Sequence, residues 1–99
     1  MRRERRYLSP IFDITVGSRR FRSVNWSMSG ILLDGPCRGG AIGSRVEGAL
    51  ALPGGRQVLP FAAEIVRTDA ETGANALRFE NIGAEGVEFL DRAIAHRLH

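Results

Sequence analysis

Four arginines stand among the first six residues of this 99-residue sequence, and their chemistry suits an anionic ligand. The planar guanidinium group forms bidentate hydrogen bonds with a phosphate or with the O6 and N7 edge of guanine. Its flat face also stacks on a nucleobase. A solvated basic tail is the alternative interpretation of such a run. The four side chains are Arg2, Arg3, Arg5 and Arg6.

The positive charge of the whole chain is concentrated at this end. Residues 1–22 hold seven arginines against two acids, a net charge of +5, whereas residues 23–99 hold seven arginines against nine acids, a net charge of −2. Such a field attracts anions but does not by itself specify which one.

A second polar cluster lies between Asn25 and Gly30, in the sequence Asn-Trp-Ser-Met-Ser-Gly. The Asn25 amide both donates and accepts hydrogen bonds, Ser27 supplies a hydroxyl group, and glycine lets the backbone bend or come close to a ligand. A polar turn between two strands is the alternative, because these residue types are common in turns. Trp26 is expected to pack in the core, and shielding of a ligand is its alternative role.

No group of residues indicates catalysis, so we do not expect an enzyme, a metal site or a bound cofactor. The two histidines, His96 and His99, lie at the C-terminus, where a solvated helix end explains them and where their spacing is a weak signal for metal binding. Cys37 is the only cysteine, which excludes an internal disulfide, and it is interpreted as a loop or packing residue. The carboxylates are scattered, and no acid–base pair stands out.

The elements that must position these residues follow from the hydrophobic pattern. Six short runs of alternating polar and apolar residues predict β-strands, and glycine- and proline-rich turns separate most of them. Because no helices intervene, the pattern favours a small antiparallel barrel or sandwich over a parallel α/β fold. The predicted strands cover residues 11–16, 19–24, 30–34, 45–52, 57–67 and 76–80, and a predicted helix covers residues 84–97.

The same periodicities predict which side chains fill the core. On the strands these are Phe12, Ile14, Val16, Val46, Leu50, Leu52, Leu59, Phe61, Ala63, Ile65, Leu77 and Phe79. On the helix they are Val87, Leu90, Ile94 and Leu98, with Phe89 and Ala93 beside them.

The two polar clusters together match a two-part family signature. Arg2-x-x-x-Arg6 is followed, after 18 residues, by Asn25-x-Ser27-x-x-Gly30. This resembles the R-x-x-x-R and D/N-x-S-x-x-G motifs of the PilZ family. The resemblance extends over most of the chain and implies a mainly β fold, a six-stranded antiparallel barrel closed by a C-terminal helix. It divides a single domain into a mobile arginine-rich ligand loop (residues 1–10), a barrel (residues 11–80) and a helix (residues 84–97).

PilZ domains are bacterial receptors for the second messenger cyclic di-GMP, so the resemblance implies that ligand. It assigns guanine edges and phosphates to Arg2 and Arg6 on the loop. It assigns contacts with guanine, ribose or phosphate to Asn25 and Ser27 on the barrel surface. Gly30 is expected to keep the backbone compact at that edge. Additional candidate ligand contacts are Arg3, Arg5 and Arg67.

The implied function is a switch that changes conformation on binding cyclic di-GMP and so regulates an unidentified protein partner, with motility, polysaccharide or biofilm formation as the output. We expect a cytoplasmic protein, since no apolar run could span a bilayer and the single cysteine suits a reducing compartment. Nucleic acid is not an expected partner. The alternatives are a PilZ-like protein-interaction module without ligand binding and a small nucleic-acid-binding barrel.

Overall fold

The computed structural model describes residues 4–37 and 40–96 and confirms a six-stranded antiparallel β-barrel with one C-terminal helix. All predicted elements are present, with small changes at their ends. The strands are β1 (Asp13–Val16), β2 (Arg19–Trp26), β3 (Gly30–Leu33), β4 (Arg45–Ala51), β5 (Val58–Thr68) and β6 (Asn75–Phe79), and the helix is α1 (Gly83–His96).

The barrel closes in the order β1-β2-β3-β6-β5-β4, and β1 completes it by pairing with both β2 and β4. The turn between β1 and β2 lies at the predicted Gly17-Ser18 position, where Gly17 has a φ of 61°. Glycine adopts this left-handed conformation without the steric cost that a Cβ would bring. Closure gives each of the six strands a paired neighbour on both sides.

The interior confirms most of the predicted inward-facing residues. Trp26 and Phe12 are both 0% exposed and form the aromatic centre of one end of the barrel. Their ring centroids lie 4.9 Å apart, and Phe89 of α1 lies 5.8 Å from Phe12. The helix therefore covers the same end of the barrel at which β2 ends.

Most of the predicted strand ends were wrong by one or two residues, and two of these ends involve asparagines. β2 continues to Trp26 rather than ending at Val24, because Asn25 and Trp26 pair with Leu32 and Ile31 of β3. The polar turn proposed for this segment is therefore confined to the residues between β2 and β3. Similarly, β6 begins at Asn75, one residue earlier than predicted. In both cases an asparagine, a residue typical of turns, pairs with a residue of a neighbouring strand.

The helix buries most of the predicted stripe, with Val87 as the exception among the described residues. Val87 is 44% exposed, whereas Phe89, Leu90 and Ala93 are buried as expected. Gly86 takes the remaining inward position, and a Cβ placed there would lie only 2.5 Å from Cβ of Ile82. A glycine carries no hydrophobic signal, so the period alone could not show its burial. Leu98 lies outside the described residues, which contain no helix long and apolar enough to cross a bilayer.

A buried asparagine fixes the loop at the other end of the barrel. The Asn75 side chain is 1% exposed, its Oδ1 accepts a hydrogen bond of 2.7 Å from the Cys37 backbone, and its Nδ2 donates one of 2.9 Å to Oγ1 of Thr68. Cys37 is itself buried, which confirms its role in packing. Burial raises the pKa of the Cys37 thiol, and nearby Arg19 partly offsets that rise.

Candidate ligand-binding site

The site begins where the N-terminal arm (residues 4–10) joins the barrel. Tyr7 and Trp26 exchange two backbone hydrogen bonds of 2.7 and 2.9 Å, and their rings lie 4.9 Å apart. The Trp26 indole also donates a hydrogen bond of 2.9 Å to the Pro10 carbonyl oxygen. Tyr7 is thus fixed to β2, and the residue before it lies beside the end of that strand. That the loop is mobile without ligand stays a prediction.

Arg6 bonds directly with the second polar cluster. Its Nε and Nη2 atoms both donate to Oδ1 of Asn25, at 2.9 and 2.7 Å, and its Nη1 donates to Oγ of Ser27 at 3.0 Å. The fork of the guanidinium thus holds a single amide oxygen along one edge. Residues that are 19 and 21 positions apart in sequence meet in one hydrogen-bonded unit.

Asn25 can meet Arg6 because of an irregularity in β2. Phe21 and Ser23 face inward, so strict alternation would also turn residue 25 inward. The pairing with β3 shifts between Ser23 and Asn25, which leaves Val24 as an extra residue. This β-bulge turns Asn25 to the outer surface and Trp26 to the core.

A second bulge does the same for Arg67 in β5. The inward series of this strand ends at Ile65, and alternation would place residue 67 inward as well. The pairing with β6 shifts between Ile65 and Arg67, with Val66 as the extra residue. Val66 and Arg67 are therefore both exposed at the surface.

A groove of about 580 Å³ connects these features across the outer surface of β2, β3, β6 and β5. Among the described residues, three arginines line the groove and no carboxylate does; the arginines are Arg6, Arg67 and Arg78. Asparagine and serine side chains add neutral hydrogen-bonding groups. The other lining residues are Asn25, Ser29, Gly30, Val66, Ala76 and Leu77.

Gly30 lies where β3 and β6 pass close to each other. A Cβ added at this residue would lie 2.2 Å from the Leu77 carbonyl oxygen, well inside van der Waals contact. The backbone at Gly30 is paired with Arg78 of β6. The glycine is thus needed for strand packing, and it lines the groove without a side chain. Its role in ligand binding stays a prediction.

Ser27 occupies a different place from a surface ligand contact. It is 0% exposed, and its Oγ lies under the Arg6 guanidinium and 3.3 Å from Oγ of Ser29. In this arrangement Ser27 orients Arg6, and it could meet a ligand only after Arg6 moves. Ser29, which lines the groove, is the more accessible hydroxyl.

The electrostatics of the groove favour anions. Burial lowers the pKa of the Arg6 guanidinium and Arg67 lowers it further, while Glu4 raises it. Arginine nevertheless stays charged at neutral pH. Arg78 donates a hydrogen bond of 2.9 Å to Glu64 at the surface, so its charge is partly balanced. Arg6 and Arg67 are close enough to repel each other, and an anion between them would relieve that repulsion.

A second surface groove, of about 610 Å³, lies on the outer surface of β1 and β2. It also has two arginines, Arg20 and Arg22, but Asp13 and Asp34 line it as well. Its formal charges therefore cancel, and a dianion gains less there than in the groove of Arg6.

The remaining predicted site residues are placed as follows. Arg2 and Arg3 lie outside the described residues, so their assignment stays a prediction. Arg5 is exposed and does not line the groove, whereas Arg67 does. Among the described residues, no cluster of three His, Cys, Asp or Glu side chains could hold a metal ion. His99 lies outside the described residues.

Sequence reasoning missed two of the groove residues that carry polar side chains, Ser29 and Arg78. Ser29 lies inside the second cluster but was interpreted only as part of its spacing. Arg78 stands in the Leu77-Arg-Phe79 run, where the flanking apolar residues marked a strand and its outward position was the available signal. Nothing in the sequence indicated that β6 would lie beside β3.

A protein-family model described as the PilZ domain matches residues 2–96, so the chain belongs to the PilZ family. PilZ domains are generally non-catalytic receptor domains. The fold also matches the solved structure of the Bacillus subtilis inhibitor of motility (MotI/DgrA), with a TM-score of 0.74 and 21% sequence identity. That match covers 98% of this chain but only 51% of the other, so the chain spans about half of that structure. No curated protein matches the sequence.

Proposed function

We propose that this chain is a receptor domain for cyclic di-GMP and that the ligand occupies the groove of Arg6, Asn25 and Arg67. The observation that carries the proposal is the set of hydrogen bonds from Arg6 to Asn25 and Ser27. These bonds join the two halves of the family signature at one surface.

The chemistry of the groove suits the two parts of this ligand. Arg6 holds the amide oxygen of Asn25 with the same guanidinium edge that would bind O6 of guanine or a phosphate oxygen. The side-chain oxygen of Asn25 thus occupies the position that a hydrogen-bond acceptor of the ligand would take. Arg67 supplies a second charge and a flat face on which a base can stack.

The proposed response follows from the position of Arg6 on the arm. When a ligand takes the guanidinium from Asn25 and Ser27, residues 4–6 must rearrange, while Tyr7 stays fixed to β2. Arg2 and Arg3 would then close over the ligand. This change in the arm alters the surface that is presented to a protein partner in the cytoplasm. Motility is the first output to examine, given the fold shared with an inhibitor of motility; polysaccharide and biofilm formation are the others.

Isothermal titration of the chain with cyclic di-GMP tests the proposal, using Arg6→Ala as the variant. The wild-type chain should bind, and Arg6→Ala should weaken binding by about tenfold to a hundredfold, since hydrogen bonds with a charged group contribute about 1.5–3 kcal/mol. Arg92→Ala is the matched control, because it removes the same charge from the exposed face of α1.

Two outcomes would contradict the proposal. Equal affinity of Arg6→Ala and the wild type would exclude this groove as the site. No binding by the wild-type chain in titrations at two temperatures would exclude cyclic di-GMP as the ligand and favour a protein-interaction module. If that chain instead bound single-stranded DNA with strong salt dependence, the nucleic-acid alternative would be favoured.

A further inference from the structure

The arm brings a negative charge to the same groove. Oγ of Ser29 donates a hydrogen bond to Oε2 of Glu4, and Ser29 is one of the groove-lining residues. Ser29 is in turn 3.3 Å from Oγ of Ser27, which accepts from Arg6. Glu4 and Arg6 therefore stand on either side of a pair of serine hydroxyls.

This carboxylate interacts with the Arg6 guanidinium as well as with Ser29. Glu4 raises the pKa of Arg6, so the carboxylate stabilises the charged guanidinium. Glu4 is exposed at the surface, and its hydrogen bond with a neutral hydroxyl contributes little to folding. Its main effect is therefore on the potential that an incoming anion meets.

We propose that Glu4 is an affinity-determining residue: its carboxylate, held by Ser29, acts as an internal anion that a phosphate-bearing ligand must displace. The inference rests on the proposed function, because it assumes that the ligand enters this groove. A cyclic dinucleotide carries two negative phosphates, and each is repelled by a carboxylate held beside the groove. Glu4 thus lowers the affinity that the arginines would otherwise give.

The neutral variant Glu4→Gln tests the role of the charge. It keeps a side chain of the same shape that can still bond with Ser29, but it removes the repulsion. We expect Glu4→Gln to bind cyclic di-GMP about threefold to tenfold more tightly than the wild type at low ionic strength. The gain should shrink in about 0.5 M salt, since exposed charges are then screened. Glu88→Gln is the control, because Glu88 is an exposed carboxylate on α1 that lines a different groove.

The variant Ser29→Ala tests the placement of the carboxylate. If Ser29 holds Glu4 beside the groove, Ser29→Ala should tighten binding in the wild-type background but not when added to Glu4→Gln. Circular dichroism spectra of all variants should match that of the wild type, since both side chains lie at the surface.

The outcomes separate this inference from the proposed function. If the wild type binds and Glu4→Gln binds equally or more weakly, the inference is wrong and the receptor function stands. If Glu4→Gln binds more tightly but Ser29→Ala does not, the charge acts without the Ser29 contact and that part is wrong. If neither the wild type nor Glu4→Gln binds, the proposed function fails and the inference fails with it.

Discussion

Asn25 and Trp26 are neighbours in β2, yet they belong to two regions with opposite physical properties. The barrel interior around Trp26 is apolar and buried: Trp26 is 0% exposed, packs against Tyr7 and Phe12, and donates a hydrogen bond to the Pro10 carbonyl oxygen. The outer groove at Asn25 is open and charged. Alternation along the strand places the two neighbours on opposite sides of the sheet, and the bulge at Val24 turns Asn25, rather than Trp26, to the outer surface.

The comparison shows how this small domain keeps folding and binding apart. Burial of apolar side chains stabilises the interior, at about 1.5–3 kcal/mol for each large side chain. Charged hydrogen bonds at an exposed surface add much less to stability. We therefore expect substitutions inside the barrel to change the free energy of unfolding and substitutions in the groove to change affinity.

The largest effect is expected for Trp26→Ala. The substitution would leave a cavity beside Phe12 and remove the hydrogen bond to Pro10, so the free energy of unfolding should fall by about 3–5 kcal/mol. Urea unfolding followed by circular dichroism measures the change. Trp26→Phe keeps an aromatic ring and should lose markedly less. A loss below about 1 kcal/mol for Trp26→Ala would show that the arm and helix do not depend on this side chain.

Gly30→Ala should have the next largest effect on the free energy of unfolding. Gly30 belongs to both regions, because it packs between strands and also lines the groove. The added Cβ would meet the Leu77 carbonyl oxygen, which belongs to a paired strand and cannot move alone. We expect a loss of about 1–3 kcal/mol in the same unfolding experiment.

Gly35→Ala is the matched control for this substitution. Its Cβ would meet only the Phe21 ring, at an ordinary contact distance of 3.7 Å. Equal stability of the two variants would contradict the close strand approach at Gly30.

Two asparagine substitutions, with smaller expected effects, compare the groove with the interior directly. Asn25→Ala should weaken cyclic di-GMP binding by about tenfold and change the free energy of unfolding by less than about 1 kcal/mol. Asn75→Ala should do the reverse, since it leaves the buried Cys37 amide without its acceptor, at a cost of about 1–3 kcal/mol. Titration and urea unfolding of both variants measure the two quantities. If both variants lost affinity and stability in parallel, binding and folding would not be separable here.

The sequence was sufficient to predict the six strands, the barrel and the two motifs as parts of one signature. Alternation predicted the inward residues of β1 and β5 because each of these stretches keeps a period of two. The alternation does not hold beyond Val24 and Val66. Each of these valines is the extra residue of a β-bulge, and a bulge forms only when neighbouring strands pair. On the helix only Val87 departs from the predicted stripe, and buried Gly86 has no side chain to reveal its burial.

The candidate site was also predicted in part from the sequence. The signature residues Arg6, Asn25 and Gly30 lie together at the groove, and Arg67 joins them through its bulge. Arg78 and Ser29 needed the structure, because the contact between β3 and β6 joins strands that are far apart in sequence. Glu4 needed it as well, since an acid among arginines in sequence does not show which side chain it meets.

The central claim is that the groove of Arg6, rather than the groove of Arg20 and Arg22, binds the ligand. Amide chemical shifts recorded during a titration with cyclic di-GMP test it most directly. We predict that the largest changes fall on residues 4–7, 25–30 and 66–67, with little change on residues 17–20 or on the helix at residues 85–92. Changes concentrated on residues 13–15, 20–22 and 34, with none at Arg6 or Asn25, would contradict the account.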